Sequence, residues 1–109
     1  MKRGDIFTVS GGSGYTGKPR PAIVFQDMDF LTDSVIVIPV TSVYAAAPDI
    51  RVYLPPGDET GLRLPSWAMA DKISAAPRSK LGTALGSVPD QVLREIEQAV
   101  LVATGIAAR

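Results

Sequence analysis

Residues 34–43 read Ser34-Val35-Ile36-Val37-Ile38-Pro39-Val40-Thr41-Ser42-Val43, and from Val35 to Val40 every position except Pro39 is β-branched. A run this apolar predicts a strand buried on both faces until Pro39 disturbs its ladder, with Thr41 and Ser42 at the end of a core strand. Upstream, Arg20-Pro21 opens Ala22-Ile23-Val24-Phe25, a second β-branched and aromatic run in which proline is tolerable at the start. Further upstream, Ile6 to Val9 predicts a strand behind Asp5 that stops at Ser10-Gly11-Gly12-Ser13-Gly14, where the glycines favour a flexible loop. Downstream, Ile50, Val52 and Leu54 alternate with Arg51 and Tyr53, the period of a strand with one wet face, and Pro55-Pro56-Gly57-Asp58 turns the chain. Ser66 to Ile73 reads as a fifth strand whose end bears Asp71-Lys72, and Leu81 to Leu85 as a short sixth.

After Pro89 the period changes. Val92, Leu93, Ile96, Ala99, Val100 and Ala103 fall at helical spacing, with Asp90, Gln91, Arg94, Glu95, Glu97 and Gln98 on the other side. Pro89 suits the first helical position, Asp90 complements the dipole, and Gly105 is placed to end the last turn. Short strands followed by one packed helix predict a mostly β (α+β) fold, a small barrel with a C-terminal amphipathic helix, in a single domain over residues 1–109.

Composition narrows the chemistry. The chain has 109 residues, 46% hydrophobic and 20% charged, so it can bury one core. Lys plus Arg balances Asp plus Glu at 11 each, which argues against coating nucleic acid by bulk charge; phosphate binding must come from a local cluster. Cysteine and histidine are both absent, which excludes disulfides, thiol nucleophiles, Cys/His zinc sites, a Ser-His-Asp triad and any proton relay through imidazole. No stretch approaches the roughly 18 apolar residues of a membrane span, and the chain is expected to act in the cytoplasm, with no membrane association.

Two short motifs mislead. Gly12-Ser13-Gly14-Tyr15-Thr16-Gly17-Lys18 has the glycine and lysine spacing of a phosphate-binding P-loop, but Pro19 stands where a Ser or Thr would hold magnesium, and a strand rather than a helix follows. Arg3-Gly4-Asp5 is the cell-adhesion tripeptide and reads better as a polar lead into the first strand.

Several separated pieces agree in order and spacing: Arg3-Gly4-Asp5-Ile6, a glycine-rich loop, Arg20-Pro21-Ala22-Ile23-Val24, Val37-Ile38-Pro39-Val40-Thr41-Ser42, Ala68-Met69-Ala70-Asp71-Lys72-Ile73, and Pro89-Asp90 opening a helix. Together they resemble the MazF/PemK (Kid) toxin family over nearly the whole chain. The resemblance implies an SH3-like barrel with flanking helices, a homodimer, and the toxin of a toxin–antitoxin module. It further implies a metal-independent, sequence-specific endoribonuclease that needs no cofactor. Such an enzyme cleaves single-stranded mRNA by 2′-hydroxyl attack to a 2′,3′-cyclic phosphate and so inhibits translation and growth. It implies a cognate antitoxin as partner, whose acidic flexible tail competes for phosphate-binding cations.

Residue by residue, Arg20 matches the family's arginine before proline, suited to hold phosphate oxygens as charge builds; alone it would be a surface arginine at a strand start. Thr41 matches the threonine ending the core strand, where its hydroxyl could bond the scissile phosphate, or else simply satisfy a neighbouring backbone group. Asp71 matches the aspartate proposed as base in the PemK branch, a role that a partly buried carboxylate with a raised pKa would suit. The other reading of Asp71 is a salt bridge with Lys72 or another cation. Tyr15, Lys18, Ser42 and Arg78 are candidate RNA contacts, with Tyr15 able to stack on a base or donate a proton and Lys80 beside Arg78. The chain departs from the family in its first loop, where Gly14-Tyr15-Thr16 replaces the usual acidic or amide residue, and at Met69, where the PemK branch has arginine. These departures leave Arg20 with Thr41 as the catalytic pair. A second class is a CcdB-like toxin that inhibits DNA gyrase by protein binding, although the Trp-Gly-Ile ending of that type is not matched by Gly105-Ile106 here.

Overall fold

The computed structural model describes residues 1–11 and 18–109. Seven strands form an antiparallel sheet: β1 (Asp5–Val9), β2 (Arg20–Val24), β3 (Ser34–Thr41), β4 (Arg51–Leu54), β5 (Ser66–Met69), β6 (Ser74–Pro77) and β7 (Leu81–Ser87). One helix, α1 (Asp90–Ala103), closes the chain. The spatial order is β4-β5-β3-β2-β1-β7, with β6 also on β3. The long strand β3 is the hub: β2 takes one edge, while β6 takes the first half of the other edge and β5 the second.

Strand alternation sorts the side chains into two cores. Ile6, Ile23, Ile38, Val40, Val52 and Leu54 lie on the face that α1 covers with Leu93, Ile96 and Ala99. Ala22, Val24, Val35, Val37 and Ala76 make a smaller core on the opposite face. β3 is accordingly buried on both faces for most of its length, as its composition predicts, except that Ile36 is 42% exposed. Pro39 stays within the strand opposite Ala22.

The sheet does not close through strand pairing, since β4 and β7 stand at its two ends. A loop links them instead: the Ser87 N–H donates to the Glu59 carbonyl at 2.9 Å, and the Thr60 hydroxyl donates to the Pro55 carbonyl at 3.0 Å. Gly61 (φ +71°) lies so close to β7 that a Cβ there would fall 2.0 Å from the Leu85 carbonyl oxygen, and only glycine fits.

Several boundaries differ from the sequence-based expectation. The fifth strand ends at Met69, and Ala70–Lys72 form a 3₁₀ turn. β6, Ser-Ala-Ala-Pro, is an extra strand with little intrinsic strand preference, held by its pairing with Ser34 to Val37. The last strand runs to Ser87, two residues beyond Leu85. Pro89 precedes the helix rather than starting it, because its ψ of 152° is extended; its carbonyl accepts the first helical bond, from Leu93. Gly105, at φ +78°, ends the helix as expected. No helix among the described residues is long and apolar enough to cross a membrane.

Candidate active site

Pairing register brings Arg20 and Thr41 together. Ala22 pairs with Pro39 across β2 and β3, and the same register continued to the strand ends sets Arg20 opposite Thr41. Directly opposed residues share a face, with Cβ atoms about 5 Å apart. On its other side Arg20 is paired with Val9 of β1, and Val9 with Leu81 of β7. Thr41 is paired in turn with Trp67 of β5, and Trp67 with Tyr53 of β4. One transverse row therefore crosses six strands on the face of the smaller core, with Arg20 and Thr41 near its middle.

The Thr41 hydroxyl accepts a hydrogen bond from the Val43 N–H at 3.1 Å. That bond fixes the oxygen at the strand end and does not use the hydroxyl hydrogen, which can be given to a phosphate oxygen. Around Arg20 a cleft of about 280 Å³ opens, floored by Ala22, Val37 and Pro39 and edged by Arg20, Lys80 and Ser74. Two cations over an apolar floor suit a polyanion whose bases are less polar than its backbone.

Asp71 has a different environment. Its two carboxylate oxygens accept from Arg51, Nε at 2.7 Å and Nη2 at 3.0 Å, a two-pronged pair across β4 and the 3₁₀ turn. The cation is Arg51, not the adjacent Lys72. The hydrogen bonds from Arg51 hold the Asp71 carboxyl below the usual carboxylate range, outweighing the opposing effect of partial burial. The raised pKa expected for a base is therefore corrected: Asp71 is ionised near neutrality and is a weaker base than a free aspartate. A carboxyl with a lowered folded-state pKa stabilises the fold above its unfolded pKa of about 4, and that contribution disappears as pH falls through the folded value. Arg51→Met is therefore expected to cost about 1 kcal/mol at pH 7 and progressively less below pH 4. Urea midpoints of the two proteins at pH 7 and pH 3 measure this; a gap of equal size at both pH values would refute it.

The remaining sequence candidates scatter. Lys18 and Ser42 are exposed, Lys18 just before β2 and Ser42 just after β3. Arg78 bends inward, its Nε donating to the Thr32 carbonyl and its backbone N–H to Asp33 at 2.9 Å, so it braces the loop between β2 and β3. Tyr15 and most of the glycine-rich segment, with the P-loop-like spacing, lie outside the described residues; the segment that follows is strand β2, as expected. Arg3 is structural: its Nη1 meets Glu97 of α1 at 2.6 Å and its guanidinium lies 4.7 Å from the Phe25 ring centroid.

The chain as a whole is similar to known proteins. Residues 2–103 fit the family model described as the PemK-like, MazF-like toxin of type II toxin-antitoxin systems. The chain is also 41% identical over 108 residues to the probable endoribonuclease MazF of Mycolicibacterium smegmatis, covering 98% of this chain and 99% of the relative. It belongs to the PemK-like, MazF-like toxin family. Among solved structures, an endoribonuclease in complex with its cognate antitoxin from a mycobacterial species superposes with TM-score 0.80 at 22% identity, over 100% of this chain and 99% of that one. A MazE-MazF complex from Deinococcus radiodurans (Form-III) gives TM-score 0.80 at 23% identity over 98% of each chain. At these identities the two structures establish the shared MazF-like fold.

Within this MazF-like fold the contacts that the sequence does not show are the Arg51–Asp71 pair and those of Tyr44 and Tyr53 with Trp67. Tyr53 carried a signal, an aromatic on the wet face of an alternating strand. Arg51 shares that face, but its pairing with Asp71 depends on a turn that period counting does not register.

Proposed function

We propose that this protein is the toxin of a toxin–antitoxin module and an endoribonuclease that cleaves single-stranded RNA. The observation that carries the reading is the placement of Arg20 opposite Thr41, at the mouth of a cationic cleft, in a chain of the MazF-like family. The ribose 2′-oxygen gives up its proton and attacks the adjacent phosphorus, the bond from phosphorus to the 5′-oxygen breaks, and that oxygen takes a proton from water, so the products are a 2′,3′-cyclic phosphate and a 5′-hydroxyl. Arg20 neutralises charge on the nonbridging oxygens as the phosphorane forms, and Thr41 donates a hydrogen bond to the same phosphate. Asp71, ionised at neutral pH, is the candidate acceptor of the 2′-hydroxyl proton, and its pairing with Arg51 limits its basicity. Lys18 and Ser42, exposed beside the ends of β2 and β3, are the candidate RNA contacts next to this pair.

The partner is a cognate antitoxin whose acidic flexible tail enters the cleft edged by Arg20 and Lys80 and competes with RNA for the same cations; relatives solved in complex with antitoxins support this reading. The active form is a homodimer. Exposed Phe30, Leu31, Ile36 and Ile73 supply apolar surface of the kind a second copy covers. Transcripts as substrate place the action in the cytoplasm. The CcdB-like, gyrase-binding alternative is not favoured, because the family match and the MazF relative span nearly the whole chain.

The test is incubation of antitoxin-free protein with a long single-stranded RNA in the presence of EDTA, with the cut ends mapped. Discrete cuts ending in 2′,3′-cyclic phosphate support the reading, and Asp71→Asn then shows whether that carboxylate is the base. Intact RNA from correctly folded protein would reject it.

A further inference from the structure

We infer that Tyr44, Trp67 and Tyr53 form a base-stacking platform that holds a nucleotide next to the cleaved phosphate and so helps fix the cut site. This inference rests on the endoribonuclease reading above and adds to it a binding subsite.

The argument starts from register. Trp67 is directly opposed to Thr41, and Tyr53 to Trp67, so the aromatic residues continue the row that holds Arg20 and Thr41, on the same face of the sheet. With about 4.8 Å between neighbouring strands, Trp67 lies roughly 10 Å from Arg20 along the row. The cationic cleft runs from Val9 and Lys80 past Arg20 to Pro39 and β6, and none of the three aromatic residues lines it. One face of the sheet thus offers cations beside Arg20 and Thr41 and aromatic rings along the same row, which is the combination that single-strand binding uses: charge along the backbone and rings for the bases.

The rings are built as a unit. Tyr44 meets Trp67 at 5.3 Å between centroids with planes 66° apart, and Tyr53 meets it at 5.9 Å and 60°. Neither tyrosine lies flat over the indole, so the contacts brace Trp67 without forming a closed stack. Tyr44 is 66% and Tyr53 49% exposed, a large aromatic area for a surface to leave in water without use. The next strand position inward on this face, Met69, is flexible and apolar and can adapt to a ring laid against it.

Trp67 is the protein's single tryptophan, so its fluorescence reports on this platform alone. The probe is a 2′-O-methyl oligonucleotide, which lacks the nucleophile, with its sequence taken from a mapped wild-type cut site; binding is followed independently by anisotropy of an end label. The platform predicts that the probe changes tryptophan emission as it binds, and that an abasic unit beside the cut position weakens binding about tenfold to a hundredfold. It also predicts that Trp67→Ala or Tyr53→Ser raises KM by a comparable factor and spreads the cuts over more sequences, while Trp67→Phe restores most of both. Tyr44→Ser, at an exposed position, tests the same point without a risk to folding.

Binding by anisotropy with unchanged emission, or wild-type KM and cut sites in Tyr44→Ser and Tyr53→Ser, would overturn the inference. So would a fall in molar mass by light scattering in those variants with RNA affinity unchanged, because a second copy would then be what covers the rings. If the wild type cuts no RNA, the endoribonuclease reading fails; the platform is then tested with the same 2′-O-methyl backbone in mixed sequence, which supports it if emission changes on binding and overturns it if not.

Discussion

Arg20→Ala is expected to lower RNA cleavage by roughly a hundred- to a thousandfold while the protein remains folded, the loss typical when one preorganised charge donor is removed from a transition state. The size follows from how few groups this chain can offer. With no histidine in the sequence, proton transfer falls to weaker groups, and electrostatic stabilisation of the phosphorane must supply more of the barrier reduction. Arg20 is exposed at the start of β2 and belongs to neither core, so its loss leaves the packing of the fold intact. Arg20→Lys should recover only part of the rate, since an ammonium keeps the charge but loses the fork that engages two phosphate oxygens. Single-turnover cleavage beside a thermal melt checks both statements; an Arg20→Ala protein that melts normally and cuts at the wild-type rate would remove Arg20 from the mechanism.

The largest effect on stability is expected from Gly61→Ala. At φ +71° alanine is strained by about 1–2 kcal/mol, and its methyl would sit 2.0 Å from the Leu85 carbonyl oxygen, so the loop must lift off β7. Strain and overpacking together amount to about 3 kcal/mol or more, a large share of what holds a domain of this size. Gly105→Ala is the control: its φ of +78° carries similar strain, yet no atom lies within 4 Å of the new methyl, and about 1 kcal/mol is expected. Equal urea midpoints for the two variants would show that the close approach at Leu85 is not a tight one.

The sequence disclosed most of what alternation and composition control. β1 to β5 and α1 follow from β-branched runs and a change of period, and Thr41 at the end of the core strand is read directly from the run before it. Relations across strands are less legible. That Arg20 faces Thr41 depends on the register of β2 on β3, which the polar connection between them sets. That Asp71 is paired with Arg51 depends on the 3₁₀ turn at Ala70–Lys72, and neither residue type in isolation announces it. β6 was invisible because Ser-Ala-Ala-Pro has the composition of a turn; the exposed edge of β3 recruits it, a case in which tertiary context overrides local preference.

The outer position of β7 bears on synthesis as well as on structure. Asp5 near the start of the chain pairs with Ser87 near its end, so β1 has only β2 beside it until almost the whole polypeptide has been made. Contacts of such long sequence separation form late and slowly. A growing chain thus carries Arg20 and Thr41 long before the row around them is complete from Leu81 to Tyr53. The order of the strands thus delays assembly of the full row until synthesis is nearly over, while the transcript is still being read.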